Sequence, residues 1–363
     1  MQAVILAGGQ GTRLRPLTLS RPKPVVPILN RPLVAYQLAL LRQHGVDDVV
    51  LACSYRVDDV RAILEAQGDL GATVRYAVEA EPLGTGGGLV NALGPGSGSL
   101  FVLNGDILTD VDLSAMRRFH ASRRARLTIW LTRVPDPRPY GLVETDDGGR
   151  IRRFEEKPAG GDPATINAGV YLLEREVMDR FPPARQLSLE RDVFPALVAD
   201  GVPCFGWTAP GYWRDVGGPA AYRAVQIDLL EGRVRSPLRP PGVLREGTWF
   251  AGGGSAAADA RVEPPSVVGA DVELHARAHV GPRAVIGARS RIGAGARVEE
   301  AVLWERVDVG AGAVLRGCVV GADARIGPRA EIGPDIVLES GAVVPEHARL
   351  VRSDRAEAPE RAC

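Results

Sequence analysis

The first residues of this chain equipped for chemistry are Gly8-Gly9-Gln10-Gly11-Thr12-Arg13, with Arg15 close behind and Lys23 held between Pro22 and Pro24. They follow the apolar run Ala3-Val4-Ile5-Leu6-Ala7, which reads as a buried strand. Glycines let backbone N–H groups close around an anion. Fixed guanidinium and ammonium groups beside them suit a polyphosphate better than a single carboxylate. Two common phosphate motifs are excluded. A dinucleotide fingerprint counted from Gly9 needs glycine where Leu14 stands, and no Gly-Lys-Ser/Thr follows to make a Walker loop.

Carboxylates come next. Asp106, in Gly105-Asp106, ends the apolar run Ser99-Leu100-Phe101-Val102-Leu103-Asn104, where it suits Mg²⁺, an ion that takes a few carboxylate oxygens plus substrate phosphates. An isolated aspartate there is otherwise a cap or turn residue; Asp110 and Asp112, ahead of the helical pattern at 113–123, are the better caps. Asp215, in Trp213-Arg214-Asp215-Val216-Gly217, is a turn residue taken alone and a second metal carboxylate taken with Asp106. Lys157, in Glu155-Glu156-Lys157-Pro158, is either a solvated ion pair of little energy or the cation for a bound phosphate. Glu156 and Asn167 suit hydroxyl groups, which both donate and accept hydrogen bonds. The run Glu81-Pro82-Leu83-Gly84-Thr85-Gly86-Gly87-Gly88 either opens a helix or lays glycine backbone against a flat base.

Together these stretches resemble the sugar-1-phosphate nucleotidyltransferases, or NDP-sugar pyrophosphorylases. GGQGTRLRPLT followed by PKP is similar to that family's triphosphate loop, and PLGTGG to its nucleobase segment, with Gly86 where alanine is usual. NGD, FEEKP, INAGVYLLE and GYWRDVGGP match in the same order. The resemblance implies that Leu6, Ala7, Gly8, Gly9, Gly11, Thr12, Arg13, Lys23, Pro82, Leu83, Gly84, Thr85 and Asp106 bind the nucleotide. It implies that Gly141, Glu156, Lys157, Asn167 and Gly169 hold the sugar phosphate, and that Asp106 and Asp215 hold Mg²⁺. Arg13 and Lys23 would stabilise departing pyrophosphate, and Lys157 would orient the nucleophile. The substrates implied are a nucleoside triphosphate and a sugar 1-phosphate. The best-matching branch is the mannose-1-phosphate guanylyltransferases, using GTP to make GDP-mannose. Alternatives are a uridylyl- or thymidylyltransferase acting on glucose 1-phosphate, and a non-catalytic regulatory paralogue. Against the paralogue, Arg13, Lys23, Asp106, Lys157 and Asp215 are all present.

The elements that must position these groups alternate. Helical spacing from Pro32 to His44, a strand at 48–52, a helix at 58–67 and a strand at 73–78 predict an α/β domain with a mixed, mostly parallel sheet. Such sheets bind ligands at the carboxyl ends of their strands. The expected division is a Rossmann-like nucleotidyltransferase domain over residues 1–232, a linker over 233–260, a β-helix over 261–346 and a poorly ordered tail over 347–363. The β-helix is read from a period of six through Val268, Leu274, Val280, Ile286, Ile292 and Val298, a phase shift near Val302–Asp308, and a second run from Val314 to Val344. The family resemblance implies that it is left-handed. His275 and His279 admit a hexapeptide acyltransferase, but no long loop interrupts the coils to build its acceptor pocket.

At 363 residues two domains are expected, and the 44 basic and 44 acidic side chains cancel. No net field draws nucleic acid or an anionic membrane, so neither is expected as a partner. Four scattered cysteines, Cys53, Cys204, Cys318 and Cys363, and no apolar run near the ~20 residues that span a bilayer point to a cytoplasmic protein. Open β-helix ends predict a homo-oligomer.

Overall fold

A computed structural model describes residues 1–94, 96–183 and 185–351. The strand Gln2–Leu6 lies at the centre of a nine-stranded sheet, parallel to Asp48–Cys53 on one side and to Ser99–Asn104 on the other. Thr73–Val78 extends the parallel side. Beyond Ser99–Asn104 the sheet turns antiparallel through Ala164–Glu174, which carries both Leu127–Val134 and the hairpin Gly141–Thr145 with Ile151–Glu156. The opening strand is continuous in apolar residues because both of its faces are covered: Ala3 and Ile5 join one hydrophobic cluster and Val4 the other. Its carboxyl end lies where the connection order reverses, the place where open α/β sheets form a ligand crevice.

Two local expectations are corrected. Asp215 is not in a turn: Trp213–Asp215 is a strand paired antiparallel with Ile107–Thr109, with Asp215 opposite Ile107. That pairing brings the second aspartate beside the first. Asp112 caps the helix Leu113–Arg123, accepting from the Ala115 N–H at 2.8 Å. Asp110 instead accepts from the backbone N–H groups of Tyr212 and Arg235, at 2.7 and 3.0 Å, so it ties chain segments together rather than capping.

The C-terminal strands stack in three parallel ladders, the faces of a β-helix. The inward residues are Val268, Leu274, Val280, Ile286, Ile292, Val298, Leu303, Val309, Leu315, Val320, Ile326 and Ile332, with Val344 further on. The expected register fails at one point. Leu315, not Val314, is the fully buried residue, because the coil shortens by one residue twice, from Val298 to Leu303 and again from Leu315 to Val320. The ladders also start inside the segment read as a linker: Thr248–Phe250 and Ser255–Ala256 already belong to them, and Val243–Arg245 adds an antiparallel strand at the edge of the first. Glycine and alanine there hide the hexad. Arg349–Leu350 pairs with Glu331–Ile332, inside the segment read as a tail. Residues 352–363, including Cys363, lie outside the described residues.

One β-helix face is apolar outside as well as inside. Val267, Val285, Val302 and Val319 point outward along that ladder yet are 0–3% exposed. They pack with Leu14, Leu17, Ile28, Tyr222 and Val225 of the preceding α/β unit. Each such valine contributes about 1.5–3 kcal/mol by burial. The outward residues of a second ladder, Glu273, Arg291, Asp308 and Arg325, are exposed and alternate in charge. Among the described residues no helix is long and apolar enough to cross a membrane.

Candidate active site

The glycine loop is built for close approach. Gly11 has φ +63°, and a Cβ there would lie 3.0 Å from both Lys23 Cβ and Thr18 Cγ2. The short helical turn Thr12–Leu14 follows it, while the Gly11 carbonyl accepts from Thr18 Oγ1 at 2.8 Å. At the end of the neighbouring strand, the Gly105 N–H donates to the Leu6 carbonyl at 2.9 Å; a Cβ on Gly105 would lie 2.6 Å from that oxygen. Only glycine brings the Gly105-Asp106 turn this close to the loop.

Asp106 therefore meets Lys23, whose Nζ donates to Asp106 Oδ2 at 2.8 Å although 83 residues separate them. Arg13 Nη1 lies 3.5 Å from Asp215 Oδ2. Asp215 Oδ1 is buried with no hydrogen-bond partner among the described residues. Burial, then the neighbouring Asp106 charge, pushes the Asp215 carboxyl up, against the pull of Lys23 and Arg13. Two crowded carboxylates with one orphaned oxygen fit a divalent cation, which would relieve both repulsion and desolvation. Among the described residues no group of three or more His, Cys, Asp or Glu is placed to hold a metal ion by itself. The donor set thus suits an ion that takes its remaining ligands from phosphate and water.

Two cavities flank this centre. One, of about 450 Å³, runs from Arg13, Asp106 and Asp215 to Glu156, Lys157 and Asn167, and also meets Gly141 and Gly169. Asn167 is fixed at both ends: Oδ1 accepts from the Gly169 N–H and Nδ2 donates to the Tyr171 hydroxyl, each at 2.9 Å. Burial, then Glu190, pushes the Glu156 carboxyl up, while Lys157 and Arg191 oppose the shift. Lys157 is exposed, at φ +55°, and its side chain makes no hydrogen bond or ion pair among the described residues. Tyr140 and Trp213 meet edge to face, with centroids 5.1 Å apart, as one wall.

The other cavity, of about 340 Å³, is lined by Leu6, Gly8, Gly9, Pro82, Gly84 and Thr85 among others. Gly84–Ala92 is helical, so Gly84 and Thr85 form the helix's first turn rather than a free loop. Ala7, Gly11, Thr12, Lys23 and Leu83 line neither cavity. Ala7 is buried, bonding through its N–H to Ala52 O at 2.8 Å; Thr12 is exposed; Lys23 acts at Asp106; and Leu83 holds the segment through Glu79 and Leu187.

Two residues were not singled out from the sequence. Glu79 is 6% exposed and lines the smaller cavity, with Oε2 accepting from the Leu83 N–H at 2.9 Å. A Cβ on Gly88 would lie 2.5 Å from Glu79 Oε1, so glycine there makes room for the carboxylate. Glu79 directly follows the strand Thr73–Val78, the same cue that picked out Asp106. Glu190 accepts from Thr85 Oγ1 and Ser188 Oγ, both at 2.8 Å, and lines the larger cavity, linking the two compartments. The cysteines do not take part. Burial pushes the thiols of Cys53, Cys204 and Cys318 up to about 12, which leaves them unreactive at neutral pH.

Residues 2–232 match the nucleotidyl transferase family and residues 262–354 match the GMPPB C-terminal domain. A mannose-1-phosphate guanylyltransferase of Mycobacterium tuberculosis is 39% identical over 87% of this chain and 83% of its own. A probable mannose-1-phosphate guanylyltransferase 3 of Oryza sativa is 35% identical over 97% and 98%. The crystal structure of HddC from Yersinia pseudotuberculosis complexed with GMP-PN has a TM-score of 0.54 at 28% identity, covering 63% of this chain and 99% of that one.

Proposed function

The chain belongs to the nucleotidyl transferase family, and from that premise we propose that it joins GTP and mannose 1-phosphate into GDP-mannose, releasing pyrophosphate. The observation that carries this reading is one cavity that runs from the Arg13–Asp215 pair and the Lys23-bound Asp106 to Lys157, with a second cavity beside the glycine loop joined to it by the Thr85–Glu190 hydrogen bond. The smaller cavity takes the nucleoside and the larger takes the sugar phosphate. A phosphate oxygen of mannose 1-phosphate forms the new bond to the α-phosphorus of GTP as the α–β bridging bond breaks, and the electron pair leaves on pyrophosphate. No protein group enters the bond exchange, so catalysis rests on positioning and charge.

Lys157 holds the phosphate of the nucleophile, and Glu156 and Asn167 take the sugar hydroxyls. Arg13 and Lys23 balance the charge that grows on departing pyrophosphate. Asp106 and Asp215 would hold Mg²⁺, which when bound would supply charge neutralisation for the phosphate oxygens. Base choice falls to Glu79. Guanine presents its N1–H and 2-amino group side by side as donors, and a buried carboxylate accepts both; none of the other four common bases offers that pair. Buried cysteine thiols fit a reducing cytoplasm, and the β-helix ends fit self-association.

Asp106→Asn tests the site. The variant is expected to fold and to lose Mg²⁺-dependent pyrophosphate release from GTP and mannose 1-phosphate; a fully active variant contradicts the metal assignment.

A further inference from the structure

Trp304 and Glu305 form the corner after the strand Val302–Leu303, and this corner reaches the segment that carries Lys23. The Arg21 guanidinium ion-pairs with Glu305 and stacks over the Trp304 ring, 4.8 Å from its centroid. Both members of the ion pair are about four-fifths buried, with 20% and 19% of their side chains exposed. Trp304 is itself 1% exposed; its indole N–H donates to the Tyr222 hydroxyl at 2.9 Å, and that hydroxyl donates to the Pro27 carbonyl. Ser20 Oγ meets Ser340 Oγ at 2.7 Å, and Asn30 Nδ2 donates to the Ile286 carbonyl at 2.8 Å. The stretch from Ser20 to Asn30 is thus pinned to the β-helix on both sides of Lys23.

Between Arg21 and Lys23 stands Pro22, and Pro24 follows. Each proline fixes its own φ and restricts the residue before it, so the segment is a stiff lever rather than a slack tether. A displacement at Arg21 reaches Lys23 instead of dissipating in the backbone. Lys23 is 8% exposed and sits 2.8 Å from Asp106, so small movements change its distance to a leaving phosphate.

We propose that Trp304 and Glu305 are positioning residues for nucleotidyl transfer: the β-helix holds Arg21 and, through the Pro22–Pro24 lever, sets the place of Lys23 against departing pyrophosphate. This rests on the assignment of Lys23 to pyrophosphate made above. On this account the C-terminal unit takes part in catalysis without touching substrate.

Glu305→Gln keeps size and hydrogen bonding while removing the charge, at a site where Glu305 also lies 3.6 Å from Arg306. Steady-state kinetics on the full-length chain in both directions is the test. Glu305→Gln should lower forward kcat and raise the KM for pyrophosphate in the reverse reaction, each by about tenfold or more. The KM for mannose 1-phosphate should stay unchanged. Trp304→Phe should shift the same two parameters, and Arg329→Ala, on an exposed pair with Glu346, should shift neither. In a Lys23→Ala background Glu305→Gln should add no further loss, since the two act through one group. A folded Glu305→Gln with wild-type kcat and wild-type pyrophosphate KM overturns the proposal, as does an equal rise in every KM. If Lys23→Ala raises the pyrophosphate KM and Glu305→Gln does not, only the lever fails. If Lys23→Ala leaves that KM unchanged, the assignment of Lys23 itself fails and the lever with it.

Discussion

At the residue scale the most informative side chain is Glu79, because a carboxylate 6% exposed at a cavity wall needs a reason to be there. Pairing with guanine supplies one. Glu79→Gln swaps one acceptor for a donor, so kcat/KM for GTP is expected to fall by about ten- to a hundredfold, the worth of one or two charge-assisted hydrogen bonds at ~1.4–3 kcal/mol. Steady-state kinetics with GTP and ATP checks it; unchanged selectivity assigns the base pocket elsewhere. Lys157 makes a second residue-scale prediction. Its side chain is exposed and makes no hydrogen bond or ion pair among the described residues, so Lys157→Ala should leave the melting temperature within about 1 °C, consistent with surface substitutions near ±0.5 kcal/mol or less, while raising the KM for mannose 1-phosphate at least tenfold. Lys157 drew notice in the sequence through the resemblance of FEEKP to a family motif, since a lysine beside two glutamates is otherwise a solvated pair of little energy. Glu79 was not, since a lone glutamate after a strand is commonplace until the fold closes a cavity over it.

At the scale of elements, the opening strand and the helices after it were legible from apolar runs and helical spacing, since both faces of Gln2–Leu6 are buried. The strand Trp213–Asp215 was not. Three residues carry too little periodicity, and their pairing with Ile107–Thr109 is a long-range contact. The β-helix was legible as a hexad but misregistered at Val314, because a five-residue step looks like a change of phase until the partner strands are aligned. The outward valines of one face held a further signal: an apolar residue directly ahead of the inward one, repeated once per coil at Val267, Val285, Val302 and Val319. Val302→Asp on that face should destabilise the protein by at least about 3 kcal/mol, through an unpaired buried charge. Arg325→Ala, exposed on another face, should change stability by no more than about 0.5 kcal/mol. Denaturant unfolding of the two variants separates them; equal effects contradict the docked face.

His120, between the helix Leu113–Arg123 and the sheet, makes a pH prediction of its own. Burial lowers its pKa, with Glu174 opposing, so the folded protein binds the proton less tightly than the unfolded chain does. Stability from this group is therefore full above the ordinary histidine range and declines as pH falls through about 6.5 and below. His44, also lowered by burial, adds in the same direction. His120→Gln should flatten part of that decline in melting temperature, and an unchanged slope contradicts the assignment.

At the scale of the whole molecule, the α/β unit and the β-helix share a hydrophobic cluster and a set of polar contacts that converge on the Lys23 segment. The sequence displays each unit separately, by motif and by repeat. It does not display their contact, because Arg21 and Glu305 stand 284 residues apart and each looks like an ordinary surface charge. The central claim is that these parts together form a guanylyltransferase for mannose 1-phosphate. Pyrophosphate release with Mg²⁺, measured for GTP, ATP, UTP, dTTP and CTP against mannose 1-phosphate and glucose 1-phosphate, tests it most directly. Turnover concentrated at GTP with mannose 1-phosphate is the predicted result. Folded protein that releases pyrophosphate preferentially from another pair, or from none, contradicts it.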